Sequence, residues 1–176
     1  HQKLVAQNII LHAGSDKLIS INKNKKETKF MLRTIKVKHD DNEGFGFVME
    51  IEGLKIGYTS DTEYLPAIHN AAYSSLNLLI ANNLRPKDNG IPDHMHSGHL
   101  VQLLCAAKPK CCIITHMGME ILNSGPEIEA SKIQSASGIN TIAGRDGWEY
   151  SIEDGKWAKF FPEKKQNKKD GQKKLD

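Results

Sequence analysis

Ile56-Gly-Tyr-Thr-Ser-Asp-Thr-Glu63 places a carboxylate, Asp61, just past the end of an apolar strand. A histidine follows an earlier strand, His39 after Leu32-Arg-Thr-Ile-Lys-Val-Lys38, and another follows a later one, His116 after Cys111-Cys-Ile-Ile-Thr115. Residues at the carboxyl ends of neighbouring strands converge on one rim of a sheet, so three segments far apart in sequence can offer ligands to one point. Imidazole nitrogens and carboxylate oxygens bind zinc and similar divalent ions, and a carboxylate, having two oxygens, can bridge a pair. Asp61 is the natural bridge. Its alternative role is an N-cap, since Asp-Thr-Glu before a helical pattern is good capping chemistry.

Around this stretch the chain changes character. Its amino-terminal part reads as β structure: Leu4 to Leu11, Lys17 to Ile21, Phe30 to Lys38, then Gly46 to Ile51 and Leu54 to Tyr58 joined by a tight turn at Glu52-Gly53. Thr62 to Ser74 has helical spacing entered through Pro66. From Leu76 onward strands and helices alternate: strand Leu76 to Ala81, helix Ser97 to Ala107 capped by Ser97, strand Cys111 to Thr115, and helix Ser124 to Ser137 with Ile128 and Ile133 inward and Gly138 ending it. Ile139 to Ala143 and Trp148 to Ile152 are expected to finish the sheet. Alternation of this kind favours layered α/β packing.

The 176 residues, 39% hydrophobic and 26% charged, suit one domain with a real core. Apolar runs such as Leu76 to Ala81 are far too short to span a bilayer, and no charged-then-apolar segment opens the chain, so a cytoplasmic protein without membrane contact is expected. Cys105, Cys111 and Cys112 lack the paired spacing of a structural zinc site and read as buried thiols in a reducing compartment. The net charge of +3 is uneven, with Lys164, Lys165, Lys168, Lys169, Lys173 and Lys174 near the end. The expected organisation is one domain over residues 1–160 and a lysine-rich disordered tail over 161–176, which could touch nucleic acid through charge alone.

The densest histidine cluster is Asp93-His94-Met95-His96-Ser97-Gly98-His99, just before a helix. Either His94 is a catalytic histidine that polarises substrate or protonates a leaving oxygen, or the HxHxxH spacing of His94, His96 and His99 itself holds metal. Exposed histidines at a helix start are the plain alternative.

The segment from His39 to Trp148 resembles the second half of a metallo-β-lactamase-fold hydrolase, nearest to the branch of the transfer-RNA 3′-processing endonuclease RNase Z and related phosphodiesterases. The resemblance rests on His39-Asp-Asp-Asn-Glu-Gly-Phe-Gly-Phe47, on Gly57-Tyr-Thr-Ser-Asp-Thr62 with Ser60 replacing a glycine, on Thr115-His116, and on Ala143-Gly-Arg-Asp-Gly-Trp148. Relatives carry a histidine 22 residues before the last ligand and a Lys-Pro pair 14 residues after that histidine; His94, with His116 and Lys108, fits both. His99 lies only 17 residues before His116. The fold implied is the carboxyl-terminal half of an αββα sandwich. The family signature HxHxDH is absent, and His94-Met-His-Ser-Gly-His99 mimics it in the wrong order and context. Leu78-Leu-Ile-Ala-Asn-Asn83 ends in asparagines where many relatives carry an acid.

By this resemblance His39, Asp61 and His116 are metal ligands in a centre of two divalent ions, zinc first with manganese or iron as alternatives, and His94 and Asp61 are catalytic. The function implied is metal-dependent hydrolysis, with phosphodiesters, including RNA and cyclic nucleotides, as the preferred substrates. Without an HxHxDH half the chain alone is expected to be inactive or nearly so. It is then expected to associate with a complementary amino-terminal half or with itself. The competing expectation is a non-catalytic module of the same fold that binds nucleic acid or a partner protein.

Overall fold

The computed structural model describes residues 11–23, 26–152 and 154–159. These fall into two compact units, one up to Gly144 and one beginning at Arg145. The lysine-rich segment over 161–176 and most of the expected strand Leu4 to Leu11 lie outside the described residues.

The first unit is built on a seven-stranded sheet in chain order, from β1 (Asp16–Lys23) through β2 (Lys26–Lys36), β3 (Phe45–Ile51), β4 (Leu54–Tyr58), β5 (Leu78–Asn82) and β6 (Cys111–Thr115) to β7 (Asn140–Ala143). β1 to β4 form an antiparallel meander, and β4 to β7 are mutually parallel. The switch follows from the connections. Glu52 and Gly53 both have positive φ, 51° and 80°, the primed turn that joins adjacent antiparallel strands. Parallel neighbours instead need a crossover, and each here contains a helix: α1 (Pro66–Ala72), then α2 (Ser97–Ala107), then α3 (Met119–Ser124) with α4 (Pro126–Ser137).

Since the parallel strands add in one direction, right-handed crossovers lay these helices on one face of the sheet. The core forms there. α2 buries Leu100, Leu103, Leu104 and Ala107, the i, i+3, i+4, i+7 stripe of an amphipathic helix, against Leu79, Ala81, Cys112 and Ile114 of β5 and β6. Gly57 in β4 leaves room for Tyr73 and Leu76, because a Cβ there would stand 2.5 Å from Leu76 Cδ1.

Four local expectations need correction. The N-cap of α2 is His96, whose Nδ1 accepts the Gly98 N–H at 3.1 Å, while Ser97 is buried and donates to Glu129 Oε1 at 2.6 Å. Ile133 points inward as expected, but Ile128 is exposed. The last helical stretch is divided at Gly125, so α3 precedes α4. Cys111 and Cys112 are buried but Cys105, on the outer side of α2, is exposed.

In the second unit β8 (Trp148–Ser151) pairs antiparallel with β9 (Lys156–Lys159) in a two-stranded sheet of its own. Trp148 to Ser151 therefore does not finish the main sheet. A short turn carrying Gly155 at positive φ gives β8 a nearer partner.

Candidate metal centre

Counting reversals across the sheet, β2, β4, β5, β6 and β7 point one way and β1 and β3 the other. The carboxyl ends of β2, β4, β5 and β6 thus share a rim, and the segments leaving them carry His39, Asp61, Asn82-Asn83 and His116. Asp61 is no N-cap. α1 starts only at Pro66, its N-cap position is Leu65, and no side chain caps it.

The Asp61 loop is fixed by buried polar groups on both sides. Thr59, Thr62 and Asn82 are fully buried. Asn82 N–H donates to Thr59 Oγ1 at 3.0 Å, and Asn82 Nδ2 donates to the Thr62 carbonyl at 3.2 Å. Thr62 Oγ1 accepts the Lys38 N–H at 2.9 Å, and Glu63 N–H donates to the Lys38 carbonyl at 3.0 Å. The Asp61 loop is thereby tied to the His39 segment and to the end of β5. The parallel bridge between Arg85 and His96 then brings the chain from β5 back beside the His94 segment.

His39, Asp61 and His94 offer ligand atoms that all lie within 4.8 Å of one another, and all three are half-buried. His116 joins from the other side, its Nδ1 3.6 Å from Asp61 Oδ1 and its ring stacked on His94 at 5.2 Å and 10°. The His39 and His94 rings meet edge to face at 5.0 Å. A carbonyl can only accept, so His94 Nδ1, 3.1 Å from the Pro92 carbonyl, carries the proton and leaves the Nε2 lone pair free. His39 Nδ1 lies 2.5 Å from Asp40 Oδ1, and because a carboxylate only accepts, that contact keeps the proton on Nδ1 and again leaves the Nε2 lone pair. Histidines whose other ring nitrogen is engaged in this way are oriented as metal ligands usually are.

The histidine cluster divides. His94 reaches the rim, whereas His96 and His99 pack against each other with ring centroids 3.8 Å apart at the start of α2. Burial lowers the His96 pKa first, and neighbouring His99 lowers it further. Beside the centre, burial raises the Tyr58 pKa, with the Asp61 carboxylate adding to the effect, so its phenol stays protonated. Asn82 was visible in the sequence only as a departure from an acidic pattern; the structure gives it the task of holding the Asp61 loop.

No protein-family model matches the chain. An uncharacterized protein of Methanocaldococcus jannaschii is 34% identical over 128 residues, covering 72% of this chain and 47% of that protein. The chain therefore spans about half the length of the curated relative it matches. Among solved structures, the metallo-β-lactamase-fold protein YhfI from Bacillus subtilis superposes with a TM-score of 0.62 at 15% identity, over 82% of this chain and 57% of that one. A diphosphatase of the PhnP family gives 0.53 at 17% identity, over 86% and 48%. Igni18, a metallo hydrolase from the archaeon Ignicoccus hospitalis, gives 0.52 at 11%, over 73% and 52%. The chain has the metallo-β-lactamase fold. Its structural neighbours include proteins described as metal-dependent or metallo hydrolases, and its His/Asp rim group is of the kind that could hold a metal ion. Among the described residues no helix is long and apolar enough to cross a membrane.

Proposed function

We propose that this chain supplies one side of the metal centre of a hydrolase that acts on phosphodiester bonds. The observation that carries the proposal is the meeting of His39, Asp61 and His94 at ligand distance, with His116 on Asp61, at the carboxyl ends of parallel-running strands. The donor set fits a divalent ion: imidazole nitrogens and one carboxylate, half-buried, with two of the rings oriented by contacts at Nδ1. Divalent ions held there would supply Lewis-acid polarisation and a water acidic enough to ionise near neutral pH.

The chain's own residues divide the work by position. Asp61, whose carboxylate groups with His39 and lies 3.6 Å from His116, has two oxygens and would be the residue able to hold two ions, with His39 and His116 each offering a further ligand. His94 already has its Nδ1 proton on Pro92, so its Nε2 is free to hold a proton for the leaving oxygen or to complete the first ion. Phosphodiesters are preferred on the resemblance of the Gly57–Thr62 and Thr115-His116 motifs, and a phosphate-acting neighbour, the PhnP-family diphosphatase, has the same fold. Three or four ligands shared between two ions bind weakly, and full activity requires a segment bearing HxHxDH.

The test uses bis(p-nitrophenyl) phosphate with zinc or manganese. The chain alone is expected near background, rising when a segment carrying HxHxDH is supplied and falling back with Asp61→Ala. Robust hydrolysis by the chain alone, lost in Asp61→Ala, would refute the need for that segment. No hydrolysis in any combination would refute the reaction class.

A further inference from the structure

Next to the metal centre a cavity of about 190 Å³ is lined by Glu63, Arg85, Asp88, Ile91, His94 and His99, among others. Arg85 enters it from the end of β5 and is only 4% exposed. Buried guanidinium groups normally have their N–H bonds satisfied, because an uncompensated cation away from water is costly. Here only Nη2 is engaged, by the Ile91 carbonyl and, at 3.6 Å, by Asp88 Oδ1. Nε and Nη1, which carry three N–H bonds between them, have no partner and are closed to water. His99, which also lines the cavity, has its Nδ1 buried and unpartnered too.

The acidic groups facing Arg85 do not account for it. Glu63 is paired with Lys38 at 2.6 Å. Asp88 is two-thirds exposed, holds the Gly90 N–H at 3.1 Å, and stands too far from Nη2 for a hydrogen bond. Asp88 is thus a weak stand-in for a missing counter-ion. Three unpartnered guanidinium N–H bonds fit an anion with several acceptor oxygens, and a phosphate offers more oxygens and more charge than a carboxylate.

We propose that the Arg85 cavity binds a phosphate group of the substrate, one beside the scissile phosphate, with Arg85 and His99 as its ligands and Asp88 as the group it displaces. His94 lines this cavity and also belongs to the His39–Asp61 group, so a molecule with two neighbouring phosphates can occupy both places. The assignment of the second phosphate as the scissile one rests on the hydrolase reading; the anion site itself does not.

The experiment is calorimetric titration of the whole chain with inorganic phosphate in the presence of a chelator, so that metal contributes nothing. Arg85→Gln is expected to weaken phosphate binding roughly tenfold or more, the equivalent of losing one charge-assisted hydrogen bond. Asp88→Asn, an exposed change that keeps an acceptor for Gly90 N–H, is expected to tighten it several-fold, and this arm stands even where Arg85→Gln fails to fold. Asp61→Asn should not weaken it. No phosphate binding by metal-free wild type, an Asp88→Asn variant no tighter than wild type, or binding lost with Asp61→Asn but kept in folded Arg85→Gln, would each overturn the proposal. Failure of the hydrolase reading would show instead as phosphate binding by the chain with no phosphodiester turnover even when a segment carrying HxHxDH is supplied.

Discussion

Replacing Asn82 by aspartate should be worse than removing its side chain. Asn82 is fully buried, and its amide Nδ2 gives the Thr62 carbonyl a hydrogen bond while Oδ1 lies 3.3 Å from the Thr59 hydroxyl. Asn82→Ala leaves the Thr62 carbonyl without that donor, which costs about 1–3 kcal/mol, and opens a small void worth roughly another 1 kcal/mol. The expected loss is therefore about 2–4 kcal/mol. Asn82→Asp keeps the volume but turns the donor into an acceptor, so oxygen faces oxygen at about 3 Å and a carboxylate is buried without a cation; breaking such a balance costs about 3–5 kcal/mol.

The aspartate variant also has a pH signature. Burial and the opposed carbonyl raise its folded-state pKa above the unfolded value, so the native state binds the extra proton and stability falls as pH rises. Urea unfolding of the three proteins at pH 7 and pH 5 reads both effects. The gap between wild type and Asn82→Asp should narrow at pH 5, and that between wild type and Asn82→Ala should not. Wild-type stability for Asn82→Asp at pH 7, or a gap that widens in acid, would refute the donor role of the amide and with it this account of how the Asp61 loop is held.

Other outcomes follow from single contacts. His69 is fully buried with Nε2 3.2 Å from the Lys36 carbonyl and Nδ1 accepting the Leu65 N–H at 3.2 Å, so it is held neutral, and burial lowers its pKa. Acid must protonate it against that preference, so stability should be full above the unfolded histidine pKa and decline as pH falls below about 6.5, with a slope of at most about 1.4 kcal/mol per pH unit; His69→Gln should flatten this part of a urea-midpoint profile. Ser60 sits at φ 58°, where Ser60→Gly should change thermal stability by less than about 1 kcal/mol, whereas Ser60→Val, β-branched at positive φ, should lose about 2 kcal/mol. Gly57→Ala should destabilise by about 1–3 kcal/mol through overpacking against Leu76 and Tyr73, measured as a lower unfolding midpoint with an unchanged slope. Asp61→Asn or His39→Ala should weaken zinc binding by about tenfold or more in competition with a chromophoric chelator, while His96→Ala should not.

What could be read from the sequence, and what could not, divides by the range of the physics. The strands around Gly57 and Cys111-Cys112 and the helix carrying Leu100, Leu103, Leu104 and Ala107 were legible because a two- or 3.6-residue apolar period reports directly on which face is buried. The convergence of His39, Asp61 and His116 was legible because parallel-running strands put their ends on one rim. The cap at His96 was not: a serine beside it has the stronger capping preference, but Ser97 is taken by Asn83 and Glu129, partners 14 and 32 residues away. Trp148 to Ser151 was misplaced for a like reason, since strand period says nothing about which edge a strand will choose. Arg85 gave no local signal at all, because burial of its guanidinium depends on the 86–92 segment folding back over it.

The rim also departs from local backbone preference in a way that bears on its use. Six described non-glycine residues have positive φ, and three of them touch the metal centre: Ser60 precedes Asp61, Asp93 precedes His94, and the third is His116 itself, at φ 53°. Each left-handed residue costs about 1–2 kcal/mol relative to ordinary backbone, so the conformation persists only where the surroundings over-determine it. They do so here. The Ser60 loop is pinned by Thr59, Thr62 and Asn82, and the chain after His116 is pinned by Gly118, whose N–H donates to the Leu84 carbonyl at 2.8 Å, an approach that a Cβ at position 118 would block by standing 2.6 Å from that oxygen. A sheet edge with no ligand to hold would gain stability by relaxing these turns. That they are held, on the segments that carry Asp61, His94 and His116, is what a pre-formed metal site requires, and it makes Gly118→Ala a test of that pre-formation. Without the hydrogen bond from residue 118 to the Leu84 carbonyl, His116 should move away from Asp61, and zinc affinity should fall although residue 118 is no ligand. Unchanged zinc affinity in a folded Gly118→Ala protein would show that His116 is placed by something other than this turn.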